Sequence, residues 1–233
     1  MQSISHFRVL ASSLLALLLF QHAVAQDDKL KIGLIGDSTV ATTYGWGPAL
    51  EKRFDETIQV LHFAKNGATL ESLSKKLDEL LELKPNYVII QFGHNDQKRY
   101  GTDVYRTKLT SYVQRIKAAG AKPIVFSSVT RRNFDERGKI LPREQNLLGN
   151  LASFAKAAQA VAREQSVPFV DLYSISVEHH NQIGPEATAA YDFNENDKTH
   201  FSPEGAQATA NLILSELKTL IPEIASHVRR ETN

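Results

Sequence analysis

Three side chains of this sequence have the types and spacing that nucleophilic catalysis requires. Asp197 and His200 stand three residues apart, and we predict that they lie on a tight loop just before a helix. Far upstream, Ser38 follows the apolar run 31–35 and a short turn, so we expect it at a strand end where a helix begins. A serine hydroxyl is a weak nucleophile at neutral pH and needs a base in hydrogen-bonding reach, itself oriented by a third group. The three residues together favour a serine hydrolase.

Alternating strand and helix patterns indicate how these residues are brought together. Five short runs rich in apolar or β-branched residues predict strands at 31–36, 59–64, 87–92, 124–129 and 167–172. Helical patterns follow them at 48–54, 70–83, 104–119, 146–165 and 203–220. Parallel neighbouring strands need crossover connections, so this alternation predicts an α/β fold with three layers, α/β/α, around a five-stranded parallel sheet.

In open sheets of this kind, the functional site lies beyond the carboxyl ends of the strands. Ser38 follows the first predicted strand, Asn66 and Gly67 follow the second, and residues 93–96 follow the third. We therefore expect these loops to open on the same edge of the sheet. The longest stretch without periodicity, 174–196, is interpreted as a surface loop near the mouth of the site.

The same edge offers donors that could stabilise a developing oxyanion. The backbone N–H of Ser38 is one, and Gly67 would let a second N–H approach the reacting carbonyl with no side chain in the way. Asn95 could donate from its side-chain amide. We interpret its neighbours His94 and Asp96 as structural hydrogen-bonding groups of the loop.

Each motif also has a simpler interpretation. Residues 36–38 and 66–67 are typical of turns, and the residues around His200 could merely cap the helix predicted at 203–220. Asp197 and His200 could instead bind a metal ion. Because no third His or Cys stands at ligand spacing, we expect no metal and no cofactor.

Composition limits the class of protein. The 233 residues include 27 Lys and Arg, 26 Asp and Glu, and no Cys. This charge balance argues against a polyanion-binding surface, so we expect no nucleic-acid partner. The missing cysteines exclude disulfides and thiolate metal sites.

The N-terminal residues have the pattern of a signal peptide. An apolar run at 9–20 precedes the small-x-small ending Ala23-Val24-Ala25, which predicts cleavage after residue 25 and a periplasmic or secreted protein. The run is short for a membrane span, so we expect no membrane contact after cleavage, the alternative being an uncleaved anchor. Residues 26–233 suit a single domain.

Four sequence blocks, in this order, resemble the SGNH, or GDSL-type, hydrolases. They are residues 36–39 (Gly-Asp-Ser-Thr), 66–68 (Asn-Gly-Ala), 93–96 (Gly-His-Asn-Asp) and 197–201 (Asp-Lys-Thr-His-Phe). Within that superfamily, residues 45–47, 92–96 and 199–201 look most like the rhamnogalacturonan acetylesterase group, carbohydrate esterases that remove acetyl groups from pectic backbones. The resemblance covers nearly all of the chain after residue 25.

This resemblance implies a flavodoxin-like SGNH hydrolase fold and a role for each block. Ser38 would be the nucleophile, His200 the general base and then acid, and Asp197 its orienting carboxylate. The N–H groups of Ser38 and Gly67 and the amide of Asn95 would form the oxyanion hole. The implied function is a serine esterase that removes O-acetyl groups from a plant cell-wall polysaccharide such as pectic rhamnogalacturonan, through an acetyl-enzyme intermediate. In the usual pectin-esterase form, more residues separate the asparagine and glycine of the second block, a departure that concerns the substrate more than the chemistry.

Trp46, His94 and Arg131 are candidate substrate contacts. Trp46 or Tyr44 could close a shallow acetyl pocket, although Trp46 fits a packed core aromatic equally well. Arg131 and Arg132 follow the fourth predicted strand and so lie on the same edge. They could contact uronate carboxylates, although a solvated loop is the simpler interpretation.

Three other interpretations stay open at this point. The first keeps the chemistry and changes the substrate to acetylated xylan or another glycan, a lipid or a thioester. The second is a non-catalytic glycan-binding protein, which is disfavoured because every proposed catalytic residue is present. The third is a flavodoxin-like nucleotide binder, in which Asp37 would place a repelling carboxylate in the phosphate loop. The sequence does not indicate an oligomeric state.

Overall fold

A parallel sheet forms the centre of the computed structural model, which describes residues 29–141 and 149–229. Its strands are β1 (Leu30–Gly36), β2 (Ile58–His62), β3 (Tyr87–Gln91), β4 (Lys122–Phe126) and β5 (Phe169–Val170). Their order is β2–β1–β3–β4–β5, and every neighbouring pair is parallel. The predicted α/β fold with a five-stranded parallel sheet is therefore confirmed.

Six α-helices connect and cover the strands in the described part of the chain. They are α1 (Gly47–Glu51), α2 (Ser74–Glu82), α3 (Thr102–Ala118), α4 (Leu151–Glu164), α5 (Leu172–Ala189) and α6 (Pro203–Leu220). Two short 3₁₀ helices, Asp96–Lys98 and Pro222–His227, and an antiparallel hairpin of β6 (Asp192–Asn194) and β7 (Asp197–Phe201) accompany them. The helix predicted at 203–220 is confirmed to the residue, and α4 begins only after Asn150, whose side chain accepts the N–H of Ser153 (2.8 Å).

Helices cover the sheet on both faces. Successive side chains of a strand point to opposite faces, and in β1 Ile32 and Leu34 pack in one apolar cluster with Leu50 of α1 and Ile213 of α6. Ile35 packs in a second cluster, which contains buried residues of α2, α3 and α4. Burial of both faces explains why the central strands are almost continuously apolar in sequence.

The stretch 174–196 is largely helical, so the surface loop expected there was wrong. The Asp171 carboxylate accepts the N–H of Ser174 (3.3 Å) and caps α5, which extends to Ala189. The helix is interrupted at Gly184, whose φ of 79° lies in the left-handed region, directly before a proline. This interruption breaks the apolar pattern by which a helix is recognised in sequence.

The predicted signal peptide, residues 1–25, lies outside the described residues. Cleavage after residue 25 therefore stays a prediction. Among the helices of the described residues, none has the length and apolar character needed to cross a membrane.

His180 of α5 makes the stability of the fold sensitive to acid. It is buried, and neither ring nitrogen has a hydrogen-bond partner among the described residues. Burial, together with the charges of Arg132 and His179, lowers the pKa of His180 from 6.5 to about 3. Between these values the unfolded chain binds a proton here that the folded chain does not. The free energy of unfolding therefore decreases as the pH falls through this window, by up to about 1.4 kcal/mol per pH unit.

We predict that His180→Leu flattens this pH dependence, because the variant has no buried imidazole that must stay neutral. The measurement is urea unfolding of both proteins at several pH values from 6.5 down to about 4. Buried His94, whose pKa is also lowered, contributes a slope of the same sign to both proteins, so the difference between the slopes reports on His180. Equal slopes would contradict the prediction.

Candidate active site

Ser38 lies in the turn that follows β1, at the carboxyl edge of the sheet. The chain makes a single helical turn here, in which the N–H of Ala41 donates to the carbonyl of Asp37 (3.1 Å). The first helix, α1, begins only at Gly47. The expectation that a helix begins at Ser38 was wrong, and the partial charge of a long helix N-terminus does not act on this residue.

After this turn the chain doubles back instead of continuing as a helix. The N–H of Trp46 donates to the carbonyl of Thr39 (3.0 Å), and the N–H of Gly47 donates to the carbonyl of Val40 (3.2 Å). Gly45 permits this close approach, since a Cβ there would lie 2.4 Å from the carbonyl carbon of Val40. The block 45–47 therefore packs directly against the nucleophile turn.

A chain of buried side-chain hydrogen bonds joins this turn to β3. The indole N–H of Trp46 donates to Gln91 Oε1 (3.0 Å), which leaves Gln91 Nε2 to donate to Thr39 Oγ1 (2.5 Å). The hydroxyl and the N–H of Thr39 both donate to Asp37 Oδ1, at 2.7 and 3.0 Å. All four side chains belong to residues that are 0% exposed. Trp46 therefore cannot touch a substrate, and its assignment as a substrate contact was wrong.

Asp197 and His200 lie on strand β7, not on the loop that was expected, and they reach Ser38 from there. Asp197 Oδ1 accepts the N–H groups of Thr199 and His200 (3.0 Å each), so the carboxylate is fixed by its own strand. Asp197 Oδ2 lies 2.7 Å from His200 Nδ1, and His200 Nε2 lies 2.8 Å from Ser38 Oγ. The three side chains form a continuous hydrogen-bonded relay.

The charge of Asp197 determines which atoms of the relay carry protons. Partial burial acts to raise the pKa of Asp197, but hydrogen bonds from His200 and Thr199 lower it below its ordinary value overall. An ionised carboxylate only accepts hydrogen bonds, so His200 Nδ1 carries the ring proton at neutral pH. In the tautomer whose single proton is on Nδ1, the Nε2 atom is the acceptor for the Ser38 hydroxyl. His200 is therefore oriented to take the proton of that hydroxyl.

The loops that carry Gly67 and Asn95 flank the loop that carries Ser38. This follows from the strand order, because β1 lies between β2 and β3. Gly67 is exposed and has a φ of 74°, a conformation that favours glycine. The Asn95 amide donates to the carbonyl of Ala68 (3.1 Å), and its second hydrogen is left for a ligand.

His94 and Arg131 are buried, so their assignment as substrate contacts was wrong. His94 is 2% exposed, and its Nε2–H donates to the carbonyl of Val129 (2.9 Å). Arg131 is 7% exposed. With the Gln97 amide oriented so that its oxygen faces Arg131, the Arg131 guanidinium donates to that oxygen at 3.1 and 3.2 Å. Burial and the charge of Arg131 hold the pKa of His94 well below its ordinary value, which keeps the ring neutral.

Asp96 joins the third sequence block to the segment that follows the second. Its Oδ1 accepts the N–H of Leu70 (3.0 Å) and the hydroxyl of Tyr100. Burial raises the pKa of Asp96 to about 6, although both of these hydrogen bonds act to lower it. The structural role expected of Asp96 is confirmed.

Arg132 anchors the β6–β7 hairpin. Its Nε donates to Asp192 Oδ1 (2.6 Å), and one of its Nη atoms donates to the carbonyl of His200. Lys198 Nζ lies 2.5 Å from the other oxygen of Asp192, and the N–H of Arg132 donates to the Lys198 carbonyl (2.9 Å). The solvated loop expected here was wrong, because the Arg132 side chain is fully buried. Asp192 and His200 are 60 and 68 positions away, so no local spacing signals this anchor.

These groups have the composition that acyl transfer requires: a hydroxyl, an imidazole that accepts its proton, an ionised carboxylate and nearby N–H donors. Within residues 29–141 and 149–229, no three or more His, Cys, Asp or Glu side chains cluster closely enough to hold a metal ion. Where a nucleotide binder would present phosphate donors, this chain buries the carboxylate of Asp37.

Comparisons with known proteins give consistent results. The sequence matches the GDSL-like lipase/acylhydrolase family over residues 34–208, a span that includes the whole relay. It is 33% identical over 225 residues to rhamnogalacturonan acetylesterase RhgT of Bacillus subtilis (strain 168), covering 85% of this chain and 94% of that protein. The crystal structure of Bacillus subtilis YxiM is similar with a TM-score of 0.71 and 25% identity, covering 82% of this chain and 56% of that one. The structure of the acetylxylan esterase Axe2 of Geobacillus stearothermophilus is similar with a TM-score of 0.61 and 22% identity. The match covers 80% of this chain and 93% of that one.

We predict that Arg132→Met slows turnover by misplacing His200. Removing one partner of a buried ion pair costs about 3–5 kcal/mol of stability. A catalytic group displaced by about 1 Å costs up to about 100-fold in rate. We therefore expect kcat for a small activated acetate ester to fall about 10- to 100-fold, with a smaller change in KM.

A double variant separates positioning from stability. Arg132→Met combined with Asp192→Leu removes both buried charges, which restores much of the stability but not the hydrogen bond to the His200 carbonyl. Thermal unfolding and steady-state kinetics are measured on the single and double variants. Recovery of kcat together with stability in the double variant would show that Arg132 does not position His200.

Proposed function

Since the chain belongs to the GDSL-like lipase/acylhydrolase family and is a carboxylic ester hydrolase, we propose that it removes O-acetyl groups from a plant cell-wall polysaccharide, pectic rhamnogalacturonan. The observation that carries the chemistry is the hydrogen-bonded relay from Asp197 through His200 to Ser38 Oγ. The substrate is supported by the 33% identity to a rhamnogalacturonan acetylesterase over 94% of that protein.

In the first half of the proposed reaction, Ser38 Oγ attacks the carbonyl carbon of the acetyl group. His200 Nε2 takes the hydroxyl proton, and the ionised Asp197 stabilises the imidazolium without taking that proton itself. The negative charge that develops on the acetyl oxygen is stabilised by the N–H groups of Ser38 and Gly67 and by the free hydrogen of the Asn95 amide. The bond from the acetyl carbon to the sugar oxygen then breaks, and His200 returns its proton to that oxygen.

In the second half, water hydrolyses the acetyl-Ser38 ester. His200 Nε2 takes a proton from the water as its oxygen attacks the acetyl carbon, and the same donors stabilise the second tetrahedral intermediate. The bond between the acetyl carbon and Ser38 Oγ then breaks, and the proton on His200 returns to Ser38 Oγ. The product leaves as acetic acid, which ionises to acetate in water. The enzyme is thereby restored, and each cycle consumes one water molecule.

The proposal predicts that the wild type releases acetate from acetylated rhamnogalacturonan faster than from acetylated xylan, and that Ser38→Ala releases none from either. Without the Oγ atom no acetyl-enzyme can form, so we expect a loss of at least about 10⁴-fold. Acetate release is measured for both proteins on both polymers, with the fold of the variant checked by thermal unfolding. Activity that survives the substitution would reject the mechanism, whereas Ser38-dependent activity on xylan alone would reject only the substrate.

We predict that Asn95→Ala lowers kcat about 100- to 1000-fold and leaves KM nearly unchanged, because an oxyanion donor acts mainly in the transition state. Steady-state kinetics on a small acetate ester check this split. The variant also loses a hydrogen bond to the Ala68 carbonyl, so its thermal unfolding is measured in parallel. A rise in KM at constant kcat would indicate that Asn95 binds the ground state instead.

The proposed substrate is a polymer outside the cell, which agrees with the leader expected at residues 1–25. We propose that the leader is removed on export and that residues 26–233 act as a single catalytic domain. N-terminal sequencing of the exported protein should then begin at Gln26. A chain that retains the apolar run 9–20 after export would contradict this proposal.

A further inference from the structure

A groove of about 420 Å³ adjoins the relay on the side of His200. Tyr44 forms its border with the relay, because the centroid of the Tyr44 ring lies 5.2 Å from that of His200 and 4.8 Å from that of Phe193. The rest of the lining comes from the turn before α1, from α1 and the two residues that follow it, from the end of β7 and from the beginning of α6. Its volume lies in the range of small-molecule sites, about 300–1,000 Å³.

Phe193 gives this groove an exposed aromatic surface. It is 45% exposed and is the only aromatic residue among the exposed large apolar side chains of residues 29–141 and 149–229. Tyr44 packs against it nearly edge-on, at an interplanar angle of 77°, which holds the ring in place. A fixed, exposed ring beside a reaction centre is a surface on which the C–H face of a sugar ring can pack.

The charge of the groove favours an anionic ligand. Lys52 and Arg53 are the only charged residues that line it. Lys52 is exposed and forms no ion pair with any residue in the described ranges, and the neighbouring Glu51 instead bonds to His62 (3.0 Å). With no carboxylate among the described residues of the lining, the charge of Lys52 is left for a ligand.

The direction of the reaction indicates which part of the substrate lies on this side. His200 Nε2 must return its proton to the leaving sugar oxygen, so the sugar that loses its acetyl group lies next to His200. Tyr44 contacts the His200 ring, and Phe193 contacts Tyr44. A sugar that continues the chain on this side would lie across these two rings and near Lys52, which lines the same groove.

We propose that this groove is a subsite for a uronate-bearing sugar of the same chain from which the acetyl group is removed. The sugar ring packs on Phe193 and Tyr44, and its carboxylate pairs with Lys52. The inference rests on the proposed function, since it takes the sugar leaving group from that reaction. The proposed uronate contact is therefore Lys52, directly after α1, and not the buried Arg131.

The test measures binding without hydrolysis, in the Ser38→Ala protein. The ligand is a non-acetylated rhamnogalacturonan oligosaccharide, and a neutral xylo-oligosaccharide of equal length is the comparison. In this background, Lys52→Ala and Phe193→Ala are compared by isothermal titration calorimetry with two controls outside the groove, the exposed Lys75→Ala and the equally exposed Val104→Ala.

We expect each groove variant to raise the Kd for the uronate ligand about 3- to 10-fold, and the two controls to leave it unchanged. Added salt should weaken binding less in Lys52→Ala than in the parent protein, because the screened charge is gone. The Kd for the neutral ligand should not respond to Lys52→Ala.

An unchanged Kd in both groove variants would overturn the inference, even where acetate release from rhamnogalacturonan upholds the proposed function. Equal weakening of the uronate and neutral ligands by Lys52→Ala would overturn the charge pairing. Conversely, uronate binding that depends on Lys52 and Phe193 would support the subsite even if the polymer were not deacetylated. Failure of the subsite inference is therefore distinguishable from failure of the proposed deacetylation.

Discussion

The position of Ser38, the proposed nucleophile, depends on a buried chain of hydrogen bonds in which each side chain donates to the next. Trp46 donates to Gln91, Gln91 to Thr39 and Thr39 to Asp37, which joins the turn of Ser38 to the neighbouring strand β3. In a dry interior such a chain is rigid, since an unmatched buried donor costs about 1–3 kcal/mol. Burial raises the pKa of Asp37, and the hydrogen bonds from Thr39 lower it in part. The nucleophile turn is therefore fixed to the sheet, and only the hairpin with His200 has to be aligned with it.

The sequence predicted those features that local patterns determine. Strands buried on both faces are almost continuously apolar, so five short runs located the sheet, and chain order alone placed Ser38, Gly67 and Asn95 at one edge. The contact between Asp197 and His200 was predictable because both ends belong to one short segment. The four blocks together identified the family correctly. Local patterns failed at α5, where Gly184 interrupts the helix, and at Ser38, where Gly45 lets the chain double back.

Contacts between distant segments could not be predicted in this way. A tryptophan between two glycines suits a pocket wall as well as a core, and only Gln91, 45 positions away, explains why the Trp46 indole is buried. Likewise, an arginine on a loop is expected to be solvated unless its partner is known, and the partner of Arg132 is Asp192, 60 positions away. In both cases a polar group is buried because a distant residue matches it, and a single sequence does not show that match.

The β6–β7 hairpin joins the hydrogen-bonded relay to the proposed sugar subsite. Strand β7 carries His200, while successive residues of β6 face opposite sides: Asp192 is buried against Arg132, and Phe193 is exposed beside Tyr44. One ion pair therefore fixes both His200, the proposed general base, and the aromatic surface of the groove. Changes at the exposed positions of β6 and at the end of α1 would alter the groove and leave the relay in place. A family can thus keep one acyl-transfer mechanism while its members differ in the sugar that lies next to the reacting ester.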